Sequence, residues 1–148
     1  MFERLLALFD GTGDYKTPLP PADAKHALGA LLVRAAKADS AYLFSEVAQI
    51  DAVLSHLYDL DPLAAAKMRA SCEKLEQAMP RTEVLAGILH EAIDIADREA
   101  AVGALWRVVF ADGVEHENED ALLQEIEAVL GVNSDVSKAL HDAAQRGA

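Results

Sequence analysis

The densest set of reactive side chains lies between Asp112 and Glu119, in the run DGVEHENE. Asp112, Glu115, Glu117 and Glu119 offer four carboxylates, and His116 adds an imidazole. Oxygen donors on a short loop suit hard divalent cations such as Ca2+ or Mg2+. The imidazole extends the choice to softer ions. If the loop is extended, the acids at 115, 117 and 119 share one side. An EF-hand is excluded, because Gly113 follows the first aspartate directly and no Asp-x-Asp-x-Asp-Gly run is present.

A purely structural reading uses the same residues. Gly113 suits the left-handed position that ends a helix. Asp112 can accept hydrogen bonds within its own loop. Glu117 and Glu119 would then sit in the first turn of the next helix, where the dipole favours acids. Residue types alone leave both readings open.

The pattern occurs twice. Leu32 to Leu57 reads LVRAAKADSAYLFSEVAQIDAVLSHL, and Leu105 to Leu130 reads LWRVVFADGVEHENEDALLQEIEAVL. A shift of about 73 residues aligns Leu32/Leu105, Arg34/Arg107, Ala38/Ala111, Asp39/Asp112, Glu46/Glu119 and Leu57/Leu130. Each copy is an apolar segment, an Ala-Asp pair, a short loop, and a Glu seven residues after the Asp. Asp39 and Glu46 are the weaker equivalents of the second loop's acids. Tyr42, Leu43 and Phe44 stand where the second copy has Glu115, His116 and Glu117. The two units are expected to pack together about a pseudo-two-fold axis.

Other polar groups carry less. His90 and Asp94 are one turn apart, beside Glu91 and Asp97, but helix capping accounts for Asp94 more simply. His26, His56 and His141 are isolated in sequence and read as surface or boundary residues. No Ser-His-Asp order, Gly-x-Ser-x-Gly elbow, Walker loop or Rossmann fingerprint occurs, so no catalytic or cofactor-binding residue is assigned and the expectation is a non-enzyme. The one enzyme reading is a di-metal hydrolase, built from Asp39, Glu46, Asp112 and Glu119 if the two loops meet.

The elements holding these loops read as helices throughout. The chain has 148 residues and is 52% apolar, enough for one sizeable core. A short amphipathic helix is expected over Met1 to Phe9, followed by a proline-containing linker to about residue 20. The main domain spans 21–146, with the repeat at about 24–78 and 95–143. Helices are expected from about Pro21 to Ala38, from near Phe44 or Ser45 to near Tyr58, from Pro62 with Asp61 as cap, and from Thr82 as cap. A further helix follows Asp94, and others run from Glu117 or Asn118 to Leu130 and beyond Ser134 as cap.

The net charge is −12 and the isoelectric point about 4.7. Such a surface repels nucleic-acid phosphates and favours cations or a basic partner. The same charge also keeps a protein soluble. Cys72 is the only cysteine, which precludes an internal disulfide and fits a reducing compartment. It reads as a buried inert thiol. No run of about 18 apolar residues exists. The N-terminus does not read as a signal peptide, so a cytoplasmic location is expected.

Taken in order, Arg98, Leu105-Trp106, Ala111-Asp112-Gly113, Glu119 and Leu130-Gly131-Val132 form a pattern that resembles the TerB-like tellurite-resistance family. Ala30-Leu31-Leu32, Ala38-Asp39, Ser45-Glu46 and Leu57 repeat it, with Ser40 in place of the usual Gly. The likeness covers roughly residues 24 to 143. It implies an all-α domain, here of about seven or eight helices in two duplicated helix–loop–helix units, from a bacterial stress system. It also implies a cation site among the acids and brings no catalytic mechanism. The expected function is a binding or scaffold module with protein partners, membrane-associated ones among them. The alternative is a divalent-cation-binding protein that uses Asp112, Glu115, Glu117 and Glu119.

Overall fold

The computed structural model describes residues 20, 23–38, 42, 44–112 and 117–147. Among these are seven α-helices, one 3-10 turn and no strand. The chain is all-α, as the sequence predicts. The expected N-terminal helix lies outside the described residues.

Helix α1 spans Ala24–Lys37. Asp23 is its N-cap and accepts from the His26 backbone N–H at 3.0 Å. The expected start at Pro21 therefore moves inward, because a capping carboxylate stands outside the first turn. Alanines and leucines bury α1 on most sides, from Ala27 to Val33 and again at Ala35 and Ala36. A helix apolar nearly all round belongs at the centre of a bundle.

Helix α2 spans Phe44–Tyr58 and α3 spans Pro62–Ala78. Asp59 between them has φ 54°, a left-handed turn that an aspartate tolerates. Asp61 caps α3 by accepting from Ala64 N–H at 2.8 Å, with Pro62 in the first turn, as expected. Helix α3 lies along α1 at Gly29, where the Cys72 thiol occupies the space that a β-carbon would need. Arg34 of α1 closes the far end of α3. Its guanidinium donates to the carbonyls of Glu76 and Met79 and to the Glu76 carboxylate.

Helix α4 spans Thr82–Ala92. Thr82 is its first residue rather than its cap, and Arg81 before it makes no capping bond. The Thr82 hydroxyl instead accepts from Arg34 at 3.3 Å. Helix α5 spans Ile95–Val109, with Asp94 as cap to the Asp97 N–H, and runs into a 3-10 turn at Phe110–Asp112. Helix α6 spans Glu117–Leu130 and ends at Gly131, whose φ is 69°. Arg98 of α5 donates to the Leu130 carbonyl at 2.8 Å and so holds that end. Helix α7 spans Ser134–Gln145. Its cap is Asn133, not the expected Ser134: the Asn133 side chain accepts from Asp135 N–H at 2.7 Å from an extended backbone.

Helices α1 and α5 touch at the centre. Helix α3 covers α1, and α7 covers α5. The second helix of each half crosses over: α2 packs on α5, and α6 packs on α1. Helix α4 bridges α1 and α6.

Candidate functional site

The crossover brings elements of the two halves into contact. The 3-10 turn that ends in Asp112 packs against α2, the helix that opens with Phe44, Ser45 and Glu46. Helix α6, which opens with Glu117, Asn118 and Glu119, packs against α1, whose C-terminus leads to Asp39. The 3-10 turn of the second half thus adjoins the helix that carries the buried Glu46 of the first.

Glu46 and Glu119 are both buried, with 0% and 1% of their surface exposed. Glutamate is almost never buried so deeply without compensation. Glu117, two residues before Glu119, is exposed. Residues 117 to 119 are helical, so neighbours two apart diverge around the axis instead of sharing one side. Glu117 and Glu119 lie in the first turn of α6, as the structural reading expects, and Asp120 joins them there. Asp39, Glu115 and His116 lie outside the described residues, as does the Asp112 side chain. Among the described residues, no group of three or more His, Cys, Asp or Glu is arranged to hold a metal.

The first loop has its own anchor. The Tyr42 hydroxyl donates to Glu73 at 2.8 Å. Arg69 donates to the same Glu73 carboxylate at 3.2 Å and to Asp51 at 2.6 Å, tying α3 to α2. Burial and then the Glu73 carboxylate push the Tyr42 phenol well above its ordinary range, so it stays a donor.

His90 is exposed at the end of α4, 3.9 Å from Glu91, and Asp94 caps α5. The two residues sit on different helices and do not form one ligand face. Cys72 is fully buried, and burial foremost pushes its thiol up to about 12, which makes it inert at neutral pH. Trp106 anchors the core, with its indole N–H donating to Ser137 at 3.2 Å. His141 is half-buried, a boundary residue as the sequence reading expects, but it has ring neighbours that the sequence does not show. It packs edge-on against Trp106, with ring centroids 4.7 Å apart. No local motif signals this contact, since the partners lie 35 positions apart in the chain.

The sequence model of the family described as "Tellurite resistance protein TerB" matches residues 25–142. The chain belongs to the TerB family. The match runs from the start of α1 into α7, so it takes in both acidic loops and both buried glutamates of this TerB domain. No curated protein and no solved structure matches the chain. Among the described residues, no helix of the TerB domain is long and apolar enough to cross a membrane.

Proposed function

We propose that this TerB-family chain is a non-enzymatic binding module of a cytoplasmic, tellurite-resistance-like stress system. Its ligand is a divalent cation held by acids of the two repeated segments. The observation that carries this reading is the burial of Glu46 and Glu119. Carboxylates at that depth, each adjoining an acidic loop, are hard oxygen donors already shielded from water. Those are the donors that Ca2+ and Mg2+ take. A strongly acidic protein also draws cations towards its surface. Glu46, Glu119, Asp39 and Asp112 would hold the ion, with Glu115 in support. Calorimetric titration of chelator-treated protein with Ca2+, Mg2+, Mn2+ and Zn2+ tests this. Saturable binding of at least one ion is expected, and four flat titrations would retire the reading.

A second reading is a scaffold that docks a basic protein partner. Phe44 is 85% exposed beside the first loop, and Leu63 is 66% exposed at the start of α3. Large exposed apolar residues on an acidic body suit a partner with an apolar centre and a basic rim. Removing residues 1–12, with their apolar Phe2, Leu5, Leu6 and Phe9, should then weaken partner capture and leave the helical content of the body unchanged.

A further inference from the structure

Helices α6 and α7 follow one another in the chain, yet each packs on α5 and they touch one another little. Between them lies an open groove of about 250 Å3. Asp120, Gln124 and Glu127 of α6 line one side, Lys138 and His141 of α7 line the other, and Trp106 of α5 adds an aromatic surface. The first half is built differently. There α2 packs directly on α3. Under the shift of about 73, Asp120, Glu127, Lys138, His141 and Trp106 match Val47, Leu54, Ala65, Met68 and Val33, all apolar. Gln124 alone of the six has a polar match, Asp51, and that carboxylate is tied to Arg69 of α3. The helix pair therefore does not need charge at these positions in order to pack.

The groove has a sign. Helix α6 carries no Lys or Arg, so its two carboxylates are answered by no basic residue of their own helix. Lys138 and His141, by contrast, both face the Asp142 carboxylate, at 3.7 and 2.8 Å. The positive groups of the α7 side are thus met within α7, and the balance at the groove is negative. Asp120 and Glu127 lie two turns apart on α6, about 10 Å along the axis. Among the described residues no three acids or histidines are arranged to hold a metal ion. The groove instead suits a cation whose charge is spread along a chain.

We propose that the groove between α6 and α7 binds a linear polyamine, with one end ammonium on Asp120 and the other on Glu127. Alkylammonium groups stay charged at neutral pH, and each bond to a carboxylate is charge-assisted. The methylenes between them are apolar and suit the Trp106 indole, as the stems of lysines cover aromatic and aliphatic surface. Gln124, one turn from Asp120, offers a neutral acceptor to a middle amine. An extended triamine spans the two carboxylates, and a four-carbon diamine falls short. The strongly acidic surface draws such polycations towards the protein. This inference is independent of the divalent-cation reading and uses neither acidic loop.

The test titrates the full chain with spermidine, a triamine, and with putrescine, a four-carbon diamine. Calorimetry gives affinity and stoichiometry, and the fluorescence of Trp106, the only tryptophan, reports on the groove. Spermidine should bind one to one, change the Trp106 emission and bind about tenfold more tightly than putrescine. Asp120→Asn and Glu127→Gln should each weaken spermidine by about tenfold. Glu125→Gln, on the exposed side of the same helix, should leave it unchanged. Lys138→Gln removes a positive charge from the groove and should tighten binding a few-fold, a gain that a damaged fold cannot give. No saturable binding of spermidine overturns the proposal. Equal affinity for the diamine overturns the two-point attachment. A loss in Glu125→Gln as large as in Glu127→Gln marks a general attraction to the acidic surface and overturns the groove as the site. Unchanged or weaker binding in Lys138→Gln overturns the charge balance assigned to it.

Discussion

Glu46 and Glu119 are each the third residue of their helix, and each is buried. In an α-helix the bond to the β-carbon tilts towards the N-terminus. A third-position side chain therefore leans back towards the loop that precedes its helix, the loop that begins at Asp39 or Asp112.

Glutamine at these two positions keeps the shape and removes the charge. If they ligate a cation, the wild type should gain about 2.7 kcal/mol of stability at an ion concentration a hundred times its dissociation constant. Glu119→Gln should lose most of that gain, and Glu46→Gln a smaller part, since the first loop has fewer acids. Thermal melts with chelator and with millimolar metal read the difference. A wild type whose melts are identical in all conditions would leave both glutamates as purely structural acids.

Gly29→Ala should destabilise the protein even though alanine is the better helix former. The new methyl would collide with the Cys72 thiol and meet its β-carbon at 3.1 Å. Overpacking of this kind costs about 1–3 kcal/mol. Adding Cys72→Ala removes the sulfur and should recover part of the loss, so the double variant should be more stable than the two single effects added together. Urea unfolding of all four proteins gives the coupling directly.

Glu76 makes part of the stability dependent on pH. Burial pushes its carboxyl up, but hydrogen bonds from Lys37 and Arg34 more than reverse this and hold it below its ordinary value of 4.5. The unfolded chain therefore takes up the proton first. The contribution is complete above that ordinary value and is lost as pH falls through the lower folded one. Glu76→Gln should cost about 2 kcal/mol at neutral pH. It should also have a shallower acid limb, with the two proteins converging as the solution becomes more acidic. Parallel acid limbs in urea melts would show that the clamp on α3 works without this charge.

The cap of α7 separates two adjacent residues. Asn133→Ala should cost about 1 kcal/mol, because Asp135 N–H loses its acceptor. Ser134→Ala should stay within about 0.5 kcal/mol of wild type. Reversed effects in chemical denaturation would place the cap one residue later.

Helix order was legible because it rests on local signals. Asp61-Pro62, Asp94 and Gly131 stop or start helices by their own chemistry, and all three do so in the structure. Caps were misplaced where two candidates stood side by side, as with Asn133 and Ser134. Thr82 misled because its hydroxyl is claimed by Arg34, 48 positions away. The acidic stretch was visible as composition, but the depth of Glu46 and Glu119 was not. An acid in the first turn of a helix reads as a solvated dipole partner until packing shows otherwise. His141 is the boundary residue the sequence suggests, but its ring neighbours were not legible, since only the docking of α7 on α5 supplies them.

The seat of Cys72 against Gly29 makes the chain its own clock. A thiol reagent cannot reach this sulfur while α3 lies on α1, and the chain offers it no other cysteine. The rate of labelling therefore counts how often those two helices part. When opening is slow to reclose, it reports the opening rate itself; when reclosing is fast, it reports the free energy of separation. The same reading taken with and without cation would show whether cation binding changes how often those helices part.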